Sequence, residues 1–190
     1  MVRKSEHMFE KVNLTPLALS LLKFLARNPG KEFYVRELVS LLDCSLGGCH
    51  KALGRLKEAG LVNKRKSGRN LYYSVNEDYP GLEHFKIFMN ITEIYSLVES
   101  LKEDAIRIIL YGSCSTGKDT QESDIDLFLL VRNSEAMDLV TKRIRCLSLN
   151  REIKQYVTTP QRLIKLKNND PAFYKEINKG IVLWNIEGYE

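Results

Sequence analysis

Apolar and polar positions along this chain fall into two alternating kinds of pattern. Leu17, Leu19, Leu21, Leu22, Phe24 and Leu25 crowd a segment that opens at Thr15-Pro16 and stops near Asn28-Pro29-Gly30. An N-cap followed by proline, closed by Pro-Gly, predicts a helix between them. Val35, Leu38, Val39, Leu41 and Leu42 recur at helical spacing and predict a second helix. Ser45 is an N-cap for a third, which runs to about Ala59 and ends at Gly60. In it Leu46, Cys49, Leu53 and Leu56 form the expected buried stripe. The period then changes, because residues 61–75 read as two short alternating strands around a turn at Ser67-Gly68.

Beyond Tyr79-Pro80-Gly81 the helical period returns in Leu82, Phe85, Phe88, Met89, Ile91, Ile94, Tyr95, Leu97, Val98 and Leu101. So broad an apolar surface must be covered, either by the rest of the chain or by a second copy in a homodimer through the 82–101 helix. Residues 105–111 and 125–131 are apolar runs that read as strands, and residues 152–157 as another, followed by a helix from Thr159-Pro160. Asp170-Pro171 opens a helix that Gly180 closes, and residues 181–184 read as a last strand with Trp184 in the core. The chain is therefore expected to be an α+β protein in two domains, residues 1–80 and 103–190, joined by a helix over 81–102.

Composition fits a soluble, globular chain: of its 190 residues 44% are hydrophobic and 28% charged. No apolar run approaches the roughly 18 residues a membrane span needs. The N-terminal MVRKSEHMFEKVN carries no apolar leader core, so a cytoplasmic protein is expected. Cys44, Cys49, Cys114 and Cys146 have neither zinc-ligand nor disulfide-framework spacing and are expected to be free thiols. The sequons at Asn13 and Asn90 are chance matches in that setting. The net charge of +5 is uneven: residues 1–78 hold 14 Lys/Arg against 8 Asp/Glu, and residues 79–190 hold 15 against 16. An N-terminal unit that meets a polyanion is the natural expectation.

The outer face of the third helix carries Gly48, His50, Lys51 and Arg55, and the hairpin carries Lys64, Arg65, Lys66 and Arg69 with no acid between them. Three helices and a basic hairpin in this order, with ALGRLKEAGLVNKRKSGRNLYYSV across the junction, resemble the winged helix-turn-helix domains of bacterial and archaeal transcription regulators over residues 12–78. The resemblance implies double-stranded DNA as partner, with the third helix in the major groove and the wing along the backbone. Ser45, Gly48, His50, Lys51 and Arg55 would then face base edges and nearby phosphates, and Lys64, Lys66 and Arg69 phosphates. Gly47 and Gly48 would allow close approach to the duplex. A solvated hairpin or a protein-interaction module is the alternative reading.

The stretch LYGSCSTGKDTQESDIDLFLL, residues 110–130, poses a choice. Gly112 to Lys118 looks like a phosphate-binding P-loop, but Asp119 stands where Ser or Thr should hold magnesium, and residues 120–123 leave no room for a helix before the next strand. The P-loop reading fails on length. Asp124 and Asp126 instead share one side of a strand, where paired carboxylates repel unless a cation lies between them. Such a pair suits Mg2+ or Mn2+, and Gly112-Ser113 offers a tight turn for the phosphates of a nucleoside triphosphate.

Gly112-Ser113, ten residues, then Asp124-Ile125-Asp126-Leu127 resembles the signature of the polymerase-beta-like nucleotidyltransferases, above all their minimal members. The resemblance implies a short mixed sheet flanked by helices, with Asp124 and Asp126 as catalytic metal ligands and Gly112 and Ser113 holding phosphate. It also implies transfer of a nucleoside monophosphate to an acceptor hydroxyl, with a third carboxylate on a neighbouring strand. Here the chain departs from the pattern: the expected place falls at Lys154 or Gln155, and only Glu152 is available, as a longer-armed substitute or as an ion-pair partner of Lys154. The leading expectation is a DNA-binding regulator that binds Mg-nucleotide. The alternatives are an active transferase acting on a protein or small molecule, and a non-catalytic, antitoxin-like interaction protein.

Overall fold

The structure, a computed structural model, describes residues 14–146 and 151–187. Asn13 of the first sequon and the rest of residues 1–13 lie outside the described residues. The chain divides into two compact units, Met1–Leu82 and Glu83–Glu190.

In the first unit helix α1 (Pro16–Ala26) begins as its sequence predicts, with Thr15 Oγ1 accepting the Ala18 N–H and proline at the first position. A two-residue strand β1 (Phe33–Tyr34) leads into α2 (Val35–Leu41). Helix α3 (Leu46–Glu58) is capped by Ser45, whose Oγ accepts the Gly48 N–H at 3.1 Å, and the chain leaves it through Gly60 at φ 75°. Strands β2 (Val62–Ser67) and β3 (Asn70–Val75) pair antiparallel, with Gly68 (φ 58°) at the first central position of the turn. β1 adds to the far side of β3. The buried stripe of α3 is Cys49, Ala52, Leu53 and Leu56. Leu46 is not part of it: in the first turn of the helix it stands 46% exposed and lines a groove, and Ala52 takes the fourth place.

The second unit opens with α4 (Leu82–Leu101), the predicted helix. Four strands follow: β4 (Ala105–Tyr111), β5 (Ile125–Val131), β6 (Ile153–Thr158) and β7 (Ile181–Asn185), in sheet order β6-β5-β4-β7. Only β5 and β6 are parallel, as their connection through α6 (Ser134–Arg145) requires. A short α5 (Gly112–Thr116) follows β4, and α7 (Pro160–Asn169) and α8 (Pro171–Ile177) follow β6. Ile125, Leu127, Leu129 and Val131 face a core shared with Ile94, Leu97, Val98 and Leu101 of α4 and with Val140 and Ile144 of α6. Phe128 and Leu130 point the other way, toward Phe173 and Ile177 of α8. A strand buried on both faces reads as an unbroken apolar run, which is why β5 was legible.

The face of α4 differs from the expected one. Phe88 and Tyr95 are 62% and 59% exposed, whereas Lys86 and Asn90 are buried in line with Ile94 and Leu101. The cause is a polar cluster beneath that face. Trp184 packs against the core, and its Nε1–H donates to the Ala105 carbonyl at 3.2 Å. No helix among the described residues is long and apolar enough to cross a membrane.

Candidate functional site

Strand β4 ends at Tyr111, which lies opposite Asp126 in the antiparallel ladder with β5. The chain then turns at Gly112, whose φ of 67° places it in the left-handed region. No other residue fits there, because a Cβ on Gly112 would overlap the Asp126 carboxylate. The Gly-Ser turn thus packs, backbone against carboxylate, on Asp126. Gly112 and Ser113 line a cleft of about 520 Å3 with Ser115, Thr116 and, from α8 and its end, Lys175 and Lys179. Glu176 lies on the same wall. The α8 residues went unread in the sequence because nothing local marks them as facing the turn.

Asp126 is half-buried, and burial pushes its carboxyl above the usual range; Asp124 and Glu176 push the same way, while Lys154 and Arg151 oppose them. Burial and the Asp126 charge raise the neighbouring Tyr111 hydroxyl to about 12. A carboxyl of raised pKa costs stability once ionised. The unfolded chain loses this proton near pH 3.8, so stability falls as pH rises through the window above that value and stays lower beyond it. Asp126→Asn should therefore make the metal-free protein more stable at pH 7, by about 0.5 kcal/mol for so partly solvated a group. The gain should vanish at pH 3, and thermal melts at the two pH values check it.

Asp124 stands just before β5, its side chain 30% exposed and paired with Lys154, whose Nζ lies 2.5 Å from Oδ2. The parallel ladder sets Lys154 beside Asp126 and Gln155 beside Leu127. Glu152 precedes β6, exposed, with its carbonyl accepting the Ile125 N–H. Its charge, with those of Asp124 and Asp126, raises the Lys154 ammonium, the Asp124 hydrogen bond being the largest cause. Among the described residues no group of three or more His, Cys, Asp or Glu could hold a metal ion. Asp124 and Asp126 are carboxylate oxygen donors, the ligand type that a hard cation takes.

Beneath the site lies a charged cluster that the sequence did not announce. Asp119, fully buried, pairs with Arg151 Nη1 at 3.4 Å and Lys86 Nζ at 3.9 Å, and Lys86 also donates to the Asp119 carbonyl. Arg151 further donates to the Ser123 carbonyl at 2.8 Å, to Asn90 Oδ1 at 3.1 Å and to Cys114 Sγ at 2.9 Å. Asn90 donates to Asp119 Oδ1 and to the Cys114 carbonyl, each at 3.0 Å. These bonds brace the 117–124 loop between the glycine turn and Asp124. A readable signal existed: Lys86 and Asn90 precede Ile94 by whole four-residue steps and so lie on its face.

In the first unit His50 and Lys51 are exposed on α3, and Gly48 and Arg55 are half-buried. Gly48 has a packing reason of its own, since a Cβ would lie 2.8 Å from Ser45 Oγ and 3.2 Å from Leu17 Cδ2, whereas Gly47 faces open space. Leu46 and His50 share a groove of about 750 Å3 with Arg69 of the hairpin turn. Lys64, Lys66 and Arg69 are exposed. Arg65 differs: its Nε and Nη2 hold Glu32 at 2.5–3.0 Å, and its guanidinium lies 5.0 Å from the Tyr72 ring centre.

Residues 91–187 match the family model described as polymerase beta, nucleotidyltransferase, and residues 12–70 the one described as MarR family. No curated protein matches the chain. Among solved structures, reduced HlyU from Vibrio cholerae is 25% identical, covering 50% of this chain and 83% of its own, with a TM-score of 0.32. The M. tuberculosis protein Rv0081 is 21% identical over 50% of this chain and 89% of its own, TM-score 0.38. A candidate nucleotidyltransferase from Sulfolobus solfataricus is 15% identical over 56% of this chain and 89% of its own, TM-score 0.38.

Proposed function

The chain belongs to the polymerase-beta nucleotidyltransferase family, with a MarR-type winged helix ahead of that domain, and from this premise we propose a DNA-binding regulator whose second unit binds a nucleoside triphosphate together with Mg2+ or Mn2+. The observation that carries the reading is that the Asp126 carboxylate packs so close to Gly112 that a Cβ there would overlap it, which brings the acid pair up to the turn that lines the cleft. Ser113 offers its hydroxyl and N–H to phosphate oxygens, Lys175 and Lys179 face the cleft, and Asp124 and Asp126 are the metal-holding pair. The divalent ion, when bound, would neutralise phosphate charge. Holding the triphosphate is thus within reach of the residues present. For transfer to an acceptor hydroxyl, Glu152 is the acid assigned to the acceptor side, and label transfer from a triphosphate that is lost in Asp124→Asn would mark that activity. Equilibrium dialysis of a labelled triphosphate with and without Mg2+ tests the binding itself.

For the first unit the proposed contacts are Ser45, Gly48, His50, Lys51 and Arg55 on or beside α3, and Lys64, Lys66 and Arg69 on the hairpin. Arg65, engaged by Glu32, is left out. Exposed Phe88 and Tyr95, one heptad apart on α4, are the surface assigned to a second copy, which paired DNA half-sites would favour. If Lys51, Lys64, Lys66 and Arg69 each neutralise one phosphate, log K for duplex DNA should fall with log salt at a slope of about −3.6. In Lys51→Ala/Lys66→Ala the slope should drop to about −1.8, and an unchanged slope in fluorescence-anisotropy titrations would remove the DNA assignment.

A further inference from the structure

The acid pair already holds a cation of its own. Lys154 Nζ sits 2.5 Å from Asp124 Oδ2, and the β5–β6 register puts the same residue beside Asp126. Phosphate-transfer sites built on two metal ions need acidic groups enough to hold both, roughly 3.5–4 Å apart. Around this pair the remaining carboxylates whose charges reach it or its lysine are Glu152, exposed before β6, and Glu176, across the cleft on α8. Neither joins Asp124 and Asp126 in a ligand cluster.

Resting on the nucleotide-binding reading above, we propose that the Lys154 ammonium is the resident counter-cation of this site, competing with the divalent ion at Asp124 and limiting the pair to one metal ion. A lysine in this position does two things that a carboxylate would not. It cancels one unit of the negative charge that draws the ion, and it fills the side of the pair next to β6 with three N–H donors that offer a metal no lone pair. The Lys154 side chain is 60% exposed on a flexible stem, so it is displaced by a metal ion at Asp124 and does not bar it. The ammonium then stays within reach of the phosphates that the ion carries. The site becomes one that retains a triphosphate on a single metal ion, as a sensor does.

The test is Mn2+ binding to the full chain, followed by the loss of the free-ion signal in electron paramagnetic resonance, without nucleotide and then with a non-hydrolysable ATP analogue. Lys154→Gln should bind Mn2+ about tenfold more tightly than wild type, the effect expected for removing a unit charge close to a divalent ion in a largely solvated site. Lys142→Gln, which removes the same charge from the exposed side of α6, should leave the affinity within about twofold. Wild type should bind one Mn2+ per chain with the analogue present. An unchanged affinity in Lys154→Gln, an equal gain in Lys142→Gln, or two Mn2+ ions in wild type would each overturn the proposal. Because the manganese shift is read without nucleotide, a wild-type chain that fails to bind the analogue sinks the nucleotide reading separately.

Discussion

Arg151→Met should lower the stability of the second unit by about 3–5 kcal/mol, the usual cost of removing one partner from a buried ion pair. Arg151 is 7% exposed, and its guanidinium serves Asp119, Asn90, Cys114 and the Ser123 carbonyl at once. Methionine fills much of the volume and supplies none of the donors. Asp119 would keep Lys86, at 3.9 Å, as its nearest remaining cation, and the Ser123 carbonyl would lose its donor. Lys86→Met should cost less, because Arg151 lies closer to Asp119 and carries more of the bonds. Urea denaturation of the full chain, following the transition of the second unit, measures both. A loss below about 1 kcal/mol for Arg151→Met would mean that the cluster is hydrated and braces nothing. Since the cluster holds the loop leading into Asp124, the same variant should also weaken Mn2+ binding at temperatures where it remains folded.

Asp124→Asn should weaken Mg2+-dependent triphosphate binding by about 100-fold or more, since losing even an outer partner of a metal ligand costs about 10–100-fold. Stability should hardly move. The pair that is lost is with Lys154, an exposed lysine, and such pairs are worth about 0–1 kcal/mol. The opposition of a large binding loss to a small stability loss distinguishes a ligand residue from a structural one. Arg151→Met should show the reverse balance.

What the sequence revealed and what it hid follow from the distance between interacting residues. The boundaries of α1 and α3 were readable because Thr15, Pro16, Ser45 and Gly60 act on their own helix ends. The Gly112-Ser113 and Asp124-x-Asp126 spacing was readable because two neighbouring antiparallel strands fix it. The identity of the residue beside Asp126 was not, since Lys154 and Gln155 differ by one step and only the parallel register chooses between them. That Arg65 is held was not readable, because its partner Glu32 lies 33 positions earlier. Asp119 read merely as a failed P-loop position, because its partners Lys86 and Arg151 lie far from it along the chain. Helix α6 escaped notice because Val140 and Ile144 are its only buried residues, too few for a stripe.

Asp124, Asp126 and the Gly112-Ser113 turn are proposed to form one metal-triphosphate site. The most direct test is a calorimetric titration of a nucleoside triphosphate into the intact chain, in Mg2+ and again in EDTA. Saturable heat at one triphosphate per chain is expected in Mg2+, abolished by EDTA and by Asp124→Asn. Heat that survives both, or none in Mg2+, would contradict the proposal.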